Sequence, residues 1–400
     1  MNPLTQSSVA ARMTAGAGAT SAAMRLFRLG EHPLVVRDAA VEPIGLALPP
    51  GATEIRLEAQ GVDTRSIAEI VSAGSRATAV VALGGGSTLD AAKIARLLIV
   101  APRLAVPLRT LTERSGFVRL PEAPTERSGS LPLLAVPTTF GTGSEVSSVA
   151  CVVTPWGRRL LSSAELRPDH AALDPVHTAT LPRRLQMEGL VEVILRVLGP
   201  AVGSRADLAA DHDAEAIVNR TARLAEQLRV GFLAPDERLL AAQLSAASHR
   251  SWALVGRDTY AAKHWYLANE LAWVTGSRKI PATIAILPTL WGRIEDGDRR
   301  WGSSERLAFA WSWVRAVVPD LPLGVRDGLR ALFLRWGLHT IDAPSGRVRN
   351  EASVRAHTAW GGSLPALGHV DLEAIDQIFV ESFPADADPI PTRREEVAWK

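Results

Sequence analysis

The stretch that most constrains the fold is residues 79–93, in which an apolar run stops at three glycines and a helical pattern follows. The turn of this stretch contains Gly84, Gly85, Gly86, Ser87 and, one helical turn later, Asp90. Glycines lack a Cβ atom, so the backbone can approach a bulky ligand closely. The free N–H groups and the dipole at a helix start attract phosphate groups. The stretch therefore predicts a strand, a tight turn and a helix that together bind a nucleotide.

Ser87 and Asp90 also match a second pattern, the Ser-x-x-acid capping box that begins many helices. The glycine spacing differs from the G-x-G-x-x-G fingerprint of dinucleotide-binding proteins. Two interpretations of Ser87 and Asp90 therefore stand, as cofactor contacts and as helix-start residues.

A second apolar strand, residues 133–137, also runs into a turn, which is rich in hydroxyl groups and glycines. Its hydroxyl-bearing residues are Thr138, Thr139, Thr142 and Ser144. Hydroxyl side chains are common in ordinary turns, so the turn alone does not require a ligand. Two such strand–turn units nevertheless favour an open α/β sheet with a ligand at one edge.

The two turns, GGGSTLDAAK and PTTFGTGSEV, are followed by Leu173-Asp174-Pro175 and Leu181-Pro182. In this order they resemble the iron-containing (group III) alcohol dehydrogenases, relatives of dehydroquinate synthase. The resemblance covers residues 30–300 and weakens towards the C-terminus. It implies an α/β N-terminal dinucleotide-binding domain, an all-α C-terminal domain, and NAD as the cofactor.

The resemblance also implies roles for individual residues. The second turn, Thr138 and Thr139 above all, would hold the phosphates and the nicotinamide-side ribose. Asp38, at the end of an early strand, would bind the adenosine ribose hydroxyls, although an Asp that simply starts a turn fits equally well. Arg159 lies where the family has a cofactor-contacting lysine.

Family members hold a divalent metal with one Asp and three His of the helical domain, and the metal polarises the substrate oxygen. Val191 occupies the Asp position here, and the histidine positions of the family's ligand-bearing segments are occupied by Leu195, Trp265, Asn269 and Ala282. His264 is one residue away from a ligand position, and a single histidine does not make a site that needs three or four ligands. We therefore predict no catalytic metal.

Without a metal, a general base must take the proton of the alcohol. The candidates are Tyr260, Lys263 and His264 on a helix predicted over residues 260–273, where their spacing places them on one face. A lysine near a tyrosine lowers the pKa of the phenol. The alternative is that Lys263 is a solvated surface lysine and that His264 is a packed helix residue.

The chain divides into three parts by composition and pattern. Residues 1–24 are rich in Ser, Thr, Ala and Gly and are predicted to be mostly disordered. Residues 25–183 form the α/β domain, with a proline-punctuated connection over residues 101–132. Residues 184–400 form the helical domain, with long helices predicted over 185–197, 213–230, 235–254 and 260–273. The ligand crevice is expected between the domains.

The 400-residue chain is 47% apolar and 22% charged with a net charge of +2, which describes an ordinary globular protein and does not favour nucleic-acid binding. It has no 18-residue apolar span, so no membrane segment is predicted. The single Cys151 excludes an internal disulfide and favours the cytoplasm. The resemblance implies a homodimer.

Three functions fit these features. The first is oxidation of a hydroxyl by NAD without a metal, on a small-molecule or peptide substrate. The second is a specific case of the first. Divergent relatives of the group III alcohol dehydrogenases occur in ribosomal peptide natural product pathways, where a daptide-type dehydrogenase is implicated in oxidising a C-terminal threonine. The third is a catalytically inactive NAD-binding scaffold or partner subunit.

Overall fold

The computed structural model describes residues 11–58, 62–120, 131–362 and 364–384. The strands are β1 (Arg12–Ala15), β2 (Pro33–Asp38), β3 (Thr53–Leu57), β4 (Ala79–Gly84), β5 (Phe117–Arg119), β6 (Leu133–Pro137), β7 (Val149–Thr154), β8 (Gly157–Ser162) and β9 (His170–Leu173). The helices of the α/β part are α1 (Ala19–Leu26), α2 (Thr64–Ala73), α3 (Gly86–Val100) and α4 (Ala105–Arg114). The later helices are α5 (Arg183–Gly203), α6 (Leu208–Val230), α7 (Pro235–Arg250), α8 (His264–Val274), α9 (Lys279–Glu295), α10 (Ser304–Arg315), α11 (Val325–Arg335), α12 (Gly346–Trp360) and α13 (Leu372–Ser382).

Six parallel strands form the main sheet, in the order β1-β9-β6-β4-β2-β3. The residues of β4 and β6 are buried throughout, as expected for parallel strands covered on both faces. Arg37 of β2 lies opposite Leu83 of β4, and Gly84 lies opposite Pro137 of β6. The carboxyl ends of β2, β4 and β6 therefore meet at one edge, where open α/β sheets bind ligands.

A smaller sheet has the order β5-β8-β7, and its β7–β8 hairpin turns at Pro155 and Trp156. Cys151 is paired with Leu160, and Val153 is paired with Arg158. Alternate residues such as Ala150 and Leu161 lie in the core of the α/β part, so Cys151, Leu160 and Arg158 share the opposite face. We call this the front face.

Helices α5–α13 form the all-α part predicted from the sequence, and they pack around one large apolar cluster. Four of its tryptophans are Trp291, Trp311, Trp313 and Trp360, each at most 2% exposed. Among the described residues, no helix combines the length and hydropathy needed to cross a bilayer. The α/β and all-α architecture expected from the sequence is confirmed.

The expectation of disorder over residues 1–24 is wrong from residue 11 onward, and residues 1–10 lie outside the described residues. β1 pairs in parallel with β9, and Ala23 and Met24 of α1 are buried. Thr20 donates from its backbone N to Asp174 Oδ2 at 3.1 Å, which ties α1 to the segment after β9. Composition did not predict this ordered segment, because its partner strand β9 lies far along the chain, with Arg12 paired to His170.

The connection predicted over residues 101–132 also contains regular structure, since α4 and β5 both fall inside it. Its last part, residues 121–130, lies outside the described residues. Pro107 lies in the first turn of α4, where a proline is tolerated because no helical hydrogen bond is lost. The prolines of residues 101–132 therefore did not indicate irregular structure throughout this segment.

Candidate functional site

The two glycine-rich turns lie side by side at the carboxyl edge of the main sheet. Thr138 donates its backbone N–H to Gly84 O at 3.0 Å. A Cβ atom on Gly85 would lie 3.3 Å from Thr139 Cγ2, and one on Gly86 would lie 2.7 Å from Thr142 Cγ2. Both distances are at or below ordinary contact, so the approach of the two turns requires glycine.

Helix α3 begins directly behind this contact, with Gly85 as its N-cap and no capping side chain. The capping box predicted for Ser87 and Asp90 is therefore not formed, because Gly85 takes the N-cap position. Ser87 is exposed at the first turn of α3. The N–H groups of this turn have no intrahelical partner, and such groups at a helix N-terminus attract anions.

Asp90 and Ser144 hold the two turns together instead of facing a ligand. Asp90 Oδ1 accepts hydrogen bonds from Ser144 Oγ and from Lys93 Nζ, and Asp90 Oδ2 accepts one from Cys151 N at 2.8 Å. Lys93 is fully buried and also donates to Ser144 O and Ser147 Oγ. The expectation that Asp90 and Ser144 contact the cofactor directly is corrected to a positioning role, because these partners occupy their polar atoms.

The helical part clamps the second turn from the other side. Gly141 and Gly143 have φ values of +109° and +60°, which favour glycine. Gly141 N donates to Ser245 Oγ at 2.8 Å, and His249 Nε2 donates to Thr142 O at 2.7 Å. Burial holds the pKa of His249 well below its usual range, so its ring is neutral and carries its proton on Nε2.

Three predicted cofactor residues keep polar atoms open at this edge. Within the described ranges, the hydroxyls of Thr138 and Thr139 have no hydrogen-bond partner, although Thr138 is only 5% exposed and Thr139 is half-buried. Asp38 ends β2 and accepts from Ala40 N through Oδ1 at 3.0 Å, which leaves Oδ2 available. Asp38 therefore starts a turn and also lies at the correct edge for a ribose.

Arg159 does not face this edge, and the expectation that it contacts the cofactor is corrected. It is 4% exposed and donates to Thr112 O at 2.9 Å and to Trp156 O at 2.7 Å. Its other partners are Arg158 O at 3.3 Å and the Glu270 carboxylate at 3.5 Å. Arg158, one residue earlier in the strand alternation, lies on the front face.

The three predicted catalytic residues are not brought together on one helix face. Helix α8 begins at His264, so Tyr260 and Lys263 lie in the turn before it. The Tyr260 ring packs edge-on against Phe117, with the ring centroids 5.8 Å apart. Phe117 lies on β5, which is separated from β7 by β8. The prediction that these three residues share one helix face is wrong, because α8 begins at His264 and not at residue 260.

His264 is 1% exposed and lies against Trp265 and Trp291. Burial lowers the pKa of His264 to about 3, so this imidazole is a very weak base at neutral pH. Its Nε2 atom is buried without a hydrogen-bond partner in the described part of the chain. The packed-residue alternative fits His264 better than a catalytic base.

Lys279, which the sequence analysis did not select, lies where the two parts of the protein meet. It is the first residue of α9, is half-buried, and places Nζ 4.5 Å from the centroid of the Trp265 ring. It interacts electrostatically with Glu192, Cys151, Arg196 and Arg158. We call the group of Cys151, Arg158, Glu192, Arg196 and Lys279 the interdomain junction. The alternation of side chains along β8 could have placed Arg158 on this side of the sheet. The sequence of α9 contains no comparable signal for the position of Lys279.

The side chains at the family's metal positions do not fit a divalent cation. Val191 and Leu195 are at most 2% exposed within the helical core, and Ala282 is fully buried. Asn269 donates through Nδ2 to Arg158 O at 3.1 Å and to Glu270 Oε1 at 3.0 Å. In the described ranges no group of three or more His, Cys, Asp or Glu residues has the arrangement of a metal site.

Comparisons with known proteins agree with this geometry. The family model described as iron-containing alcohol dehydrogenase matches residues 10–175. The iron-containing alcohol dehydrogenase of Thermococcus thioreducens superposes with a TM-score of 0.74 at 16% identity, covering 93% of this chain and 98% of that one. The chain has the fold of the iron-containing alcohol dehydrogenases. The family-model match ends before α5, whereas the likeness to that fold continues through the helical part.

Closer sequence likeness is confined to shorter segments. The probable alcohol dehydrogenase EutG of Salmonella typhimurium is 44% identical over 105 residues, which is 26% of this chain and 24% of that protein. The 4-hydroxybutyrate dehydrogenase of Cupriavidus necator is 36% identical over 133 residues, which is 32% of this chain and 33% of that protein. The chain thus matches between a quarter and a third of the length of these two curated relatives.

Proposed function

We propose that this chain is an NAD-dependent oxidoreductase that oxidises a hydroxyl group without a catalytic metal. The paired turns carry the proposal, because Gly85 and Gly86 leave room that any larger residue would fill. The open hydroxyls of Thr138 and Thr139 adjoin the N-terminus of α3, a combination that suits a dinucleotide's phosphates. Asp38 favours NAD over NADP, since its carboxylate would repel a 2′-phosphate.

The proposed substrate carries a carboxylate, and the specific candidate is a peptide with a C-terminal threonine from a natural product pathway. Arg158, Arg196 and Lys279 outnumber Glu192 at the interdomain junction, and a cationic site attracts a carboxylate. Oxidation of the threonine β-hydroxyl transfers a hydride to NAD⁺ and releases a proton, which leaves a β-keto acid. The ketone then accepts the electron pair as the carboxylate leaves as CO2.

Absorbance at the NADH wavelength tests this proposal with synthetic peptides. A Thr-ended peptide should give NADH, and two matched peptides should not: one that ends in Val and lacks the hydroxyl, and one that ends in threonine amide and lacks the carboxylate. NADH formation from small alcohols but not from the Thr-ended peptide would overturn the peptide substrate and keep the dehydrogenase. NADH binding without turnover of any alcohol would favour the alternative below.

The alternative is a catalytically inactive NAD-binding scaffold or partner subunit of a biosynthetic complex. It is favoured by the aliphatic residues at the family's metal positions and by the buried, weakly basic His264. A scaffold, however, has no need of the tight glycine contact between the two turns. Isothermal titration with NADH separates a scaffold that binds the cofactor from one that does not.

The proposal also includes a homodimer. β1 lies at the end of the main sheet, with β9 as its neighbour within the described residues. An edge strand offers N–H and C=O groups to a second copy. Sedimentation velocity at micromolar concentration should give the mass of two chains, and a monomer would contradict this part of the proposal.

A further inference from the structure

Among the lysines that the structure describes, Lys279 is the one whose ammonium lies over an aromatic ring. Lys93 has its ammonium enclosed by oxygen acceptors, and Lys263 lies near Asp258. In the described ranges, Lys279 Nζ has neither a hydrogen bond nor an ion pair, and its close contact is the face of the Trp265 ring at 4.5 Å. A polar group with no partner in a partly buried site is costly unless a ligand supplies one.

Charged and titratable groups face Lys279 from three neighbouring elements. Glu192 and Arg196 lie on α5, Cys151 on β7, and Arg158 on β8. Glu192 is already paired with Arg196 at 2.6 Å, so its stabilisation of the Lys279 ammonium is shared. Burial lowers the pKa of Lys279 from its ordinary value of 10.5, with the charge of Glu192 opposing and those of Arg196 and Arg158 adding to the effect.

The Trp265 ring stabilises the opposite protonation state. A cation within about 6 Å of an indole face is attracted by the ring's quadrupole. Burial therefore favours the neutral amine, while the ring and Glu192 favour the ammonium. A group held between two protonation states is suited to take and return a proton.

We propose that Lys279 is the residue that receives the hydroxyl proton of the substrate at the interdomain junction; this rests on the function proposed above. The neutral amine takes the proton from the substrate O–H, and the electron pair of that bond forms the C=O double bond. The hydride on the same carbon passes to NAD⁺. The resulting ammonium returns its proton to solvent, and in the reverse direction it donates that proton to the carbonyl oxygen.

Other titratable groups of the site are less suited to this step. His264 is fully buried and its pKa is about 3. Burial raises the pKa of Glu145 to about 7, but Glu145 is 2% exposed behind the second turn and is not accessible to a substrate. Lys279 as a whole residue is half-buried, so its side chain is less enclosed than those of His264 and Glu145.

The test uses the full-length protein and its Lys279→Met and Lys279→Arg variants. Both should bind NADH within twofold of the wild type, because Lys279 is not part of the paired turns. Both should lower kcat with the Thr-ended peptide by about 100-fold or more, the usual range for a lost acid–base group. The arginine variant keeps the positive charge but cannot release a proton. A low kcat in this variant therefore shows that proton transfer, and not the charge alone, is needed. Arg65→Met, on an exposed side chain of α2, serves as the control for loss of a long cation.

A second measurement needs no substrate. Competitive labelling with acetic anhydride over a pH series, followed by peptide mass spectrometry, reports the pKa of Lys279, which should lie below 10.5. An ordinary pKa, or kcat retained in Lys279→Met, would overturn the role of Lys279. If the wild-type protein does not bind NADH, or oxidises none of the alcohols tested, the proposed function is overturned. The proposal for Lys279 then falls with it.

Discussion

Glu270 joins three elements through one buried carboxylate. Its side chain is fully buried, and Oε1 accepts from Trp360 Nε1 of α12 at 3.0 Å. Oε1 also lies 3.5 Å from Arg159 of β8, and Oε2 accepts from Arg355 of α12 at 3.0 Å. This cluster accounts for Arg159, since a buried guanidinium needs acceptors and cannot also reach the cofactor edge.

We expect Glu270→Ala to lower the free energy of unfolding by about 3–5 kcal/mol, because Arg159 would remain buried without its carboxylate. Urea unfolding followed by circular dichroism measures this. Glu69→Ala is the control, since Glu69 is exposed in its ion pair with Arg65 and should cost under about 1 kcal/mol. Equal effects of the two variants would contradict the structural role of Glu270.

At the scale of elements, the site depends on how closely one turn approaches another. The β4–α3 turn and the turn after β6 touch where Gly86 meets Thr142. Local patterns predicted each strand–turn unit, because burial on both faces gives continuous apolar runs. The contact between the units follows from the pairing of β4 with β6.

Gly86→Ala should weaken NADH binding by about tenfold or more, which corresponds to about 1.4 kcal/mol. The new methyl group would lie 2.7 Å from Thr142 Cγ2 and push the two turns apart. Gly346→Ala is a matched control, because Gly346 is also the first residue of a helix and its nearest neighbour is the end of Arg349 at 3.8 Å. Fluorescence titration with NADH compares the two; equal affinities would contradict the contact.

A second element-scale contact joins α6 to the end of α11. Glu226 accepts hydrogen bonds from Arg335 Nη2 at 2.7 Å and from Trp336 Nε1 at 2.8 Å. The hydrogen bond from Arg335 is the main cause that lowers the pKa of Glu226 from 4.5 to about 2. A carboxyl group whose pKa is lower in the folded state than in the unfolded state stabilises the fold at pH values above its unfolded-state pKa. This stabilisation is lost as the pH falls towards its folded-state pKa.

Glu226→Gln should therefore lower the free energy of unfolding at pH 7 by about 2 kcal/mol, and the difference from the wild type should shrink as pH falls from about 4.5 to about 2. Urea unfolding at pH 7 and pH 3 measures both values. Glu351→Gln, on an exposed position of α12, is the control. A difference that is independent of pH would show that Glu226 acts through packing alone.

At the scale of the whole molecule, the two parts of the chain depart from their relatives to different degrees. The family model matches the α/β part, and the fold of the solved relative continues through the helical part at low identity. Helix packing tolerates aliphatic residues such as Val191 and Leu195 at the ligand positions, because they extend the apolar core.

NADH should raise the free energy of unfolding by about 2.7 kcal/mol at 100 times its dissociation constant. Adding zinc or ferrous ion in molar excess over the protein should leave the Tm unchanged, and adding EDTA should not lower the Tm. The reason is that the residues at the family's metal positions are not metal ligands. Differential scanning calorimetry measures all three. A fall in Tm with EDTA would mean that the metal ligands come from residues we did not identify.

The sequence by itself determined the strand–turn–helix units and the α/β and all-α division, because these depend on hydrophobic period, glycine and local motif. The tertiary structure decided which polar residues face a ligand. Asp90, Ser144 and Arg159 bind other parts of the protein, Lys279 is brought to the junction by α9, and β1 is ordered by β9. Partners far apart in the chain leave no local signal, since burial and hydrogen bonding depend on the whole fold.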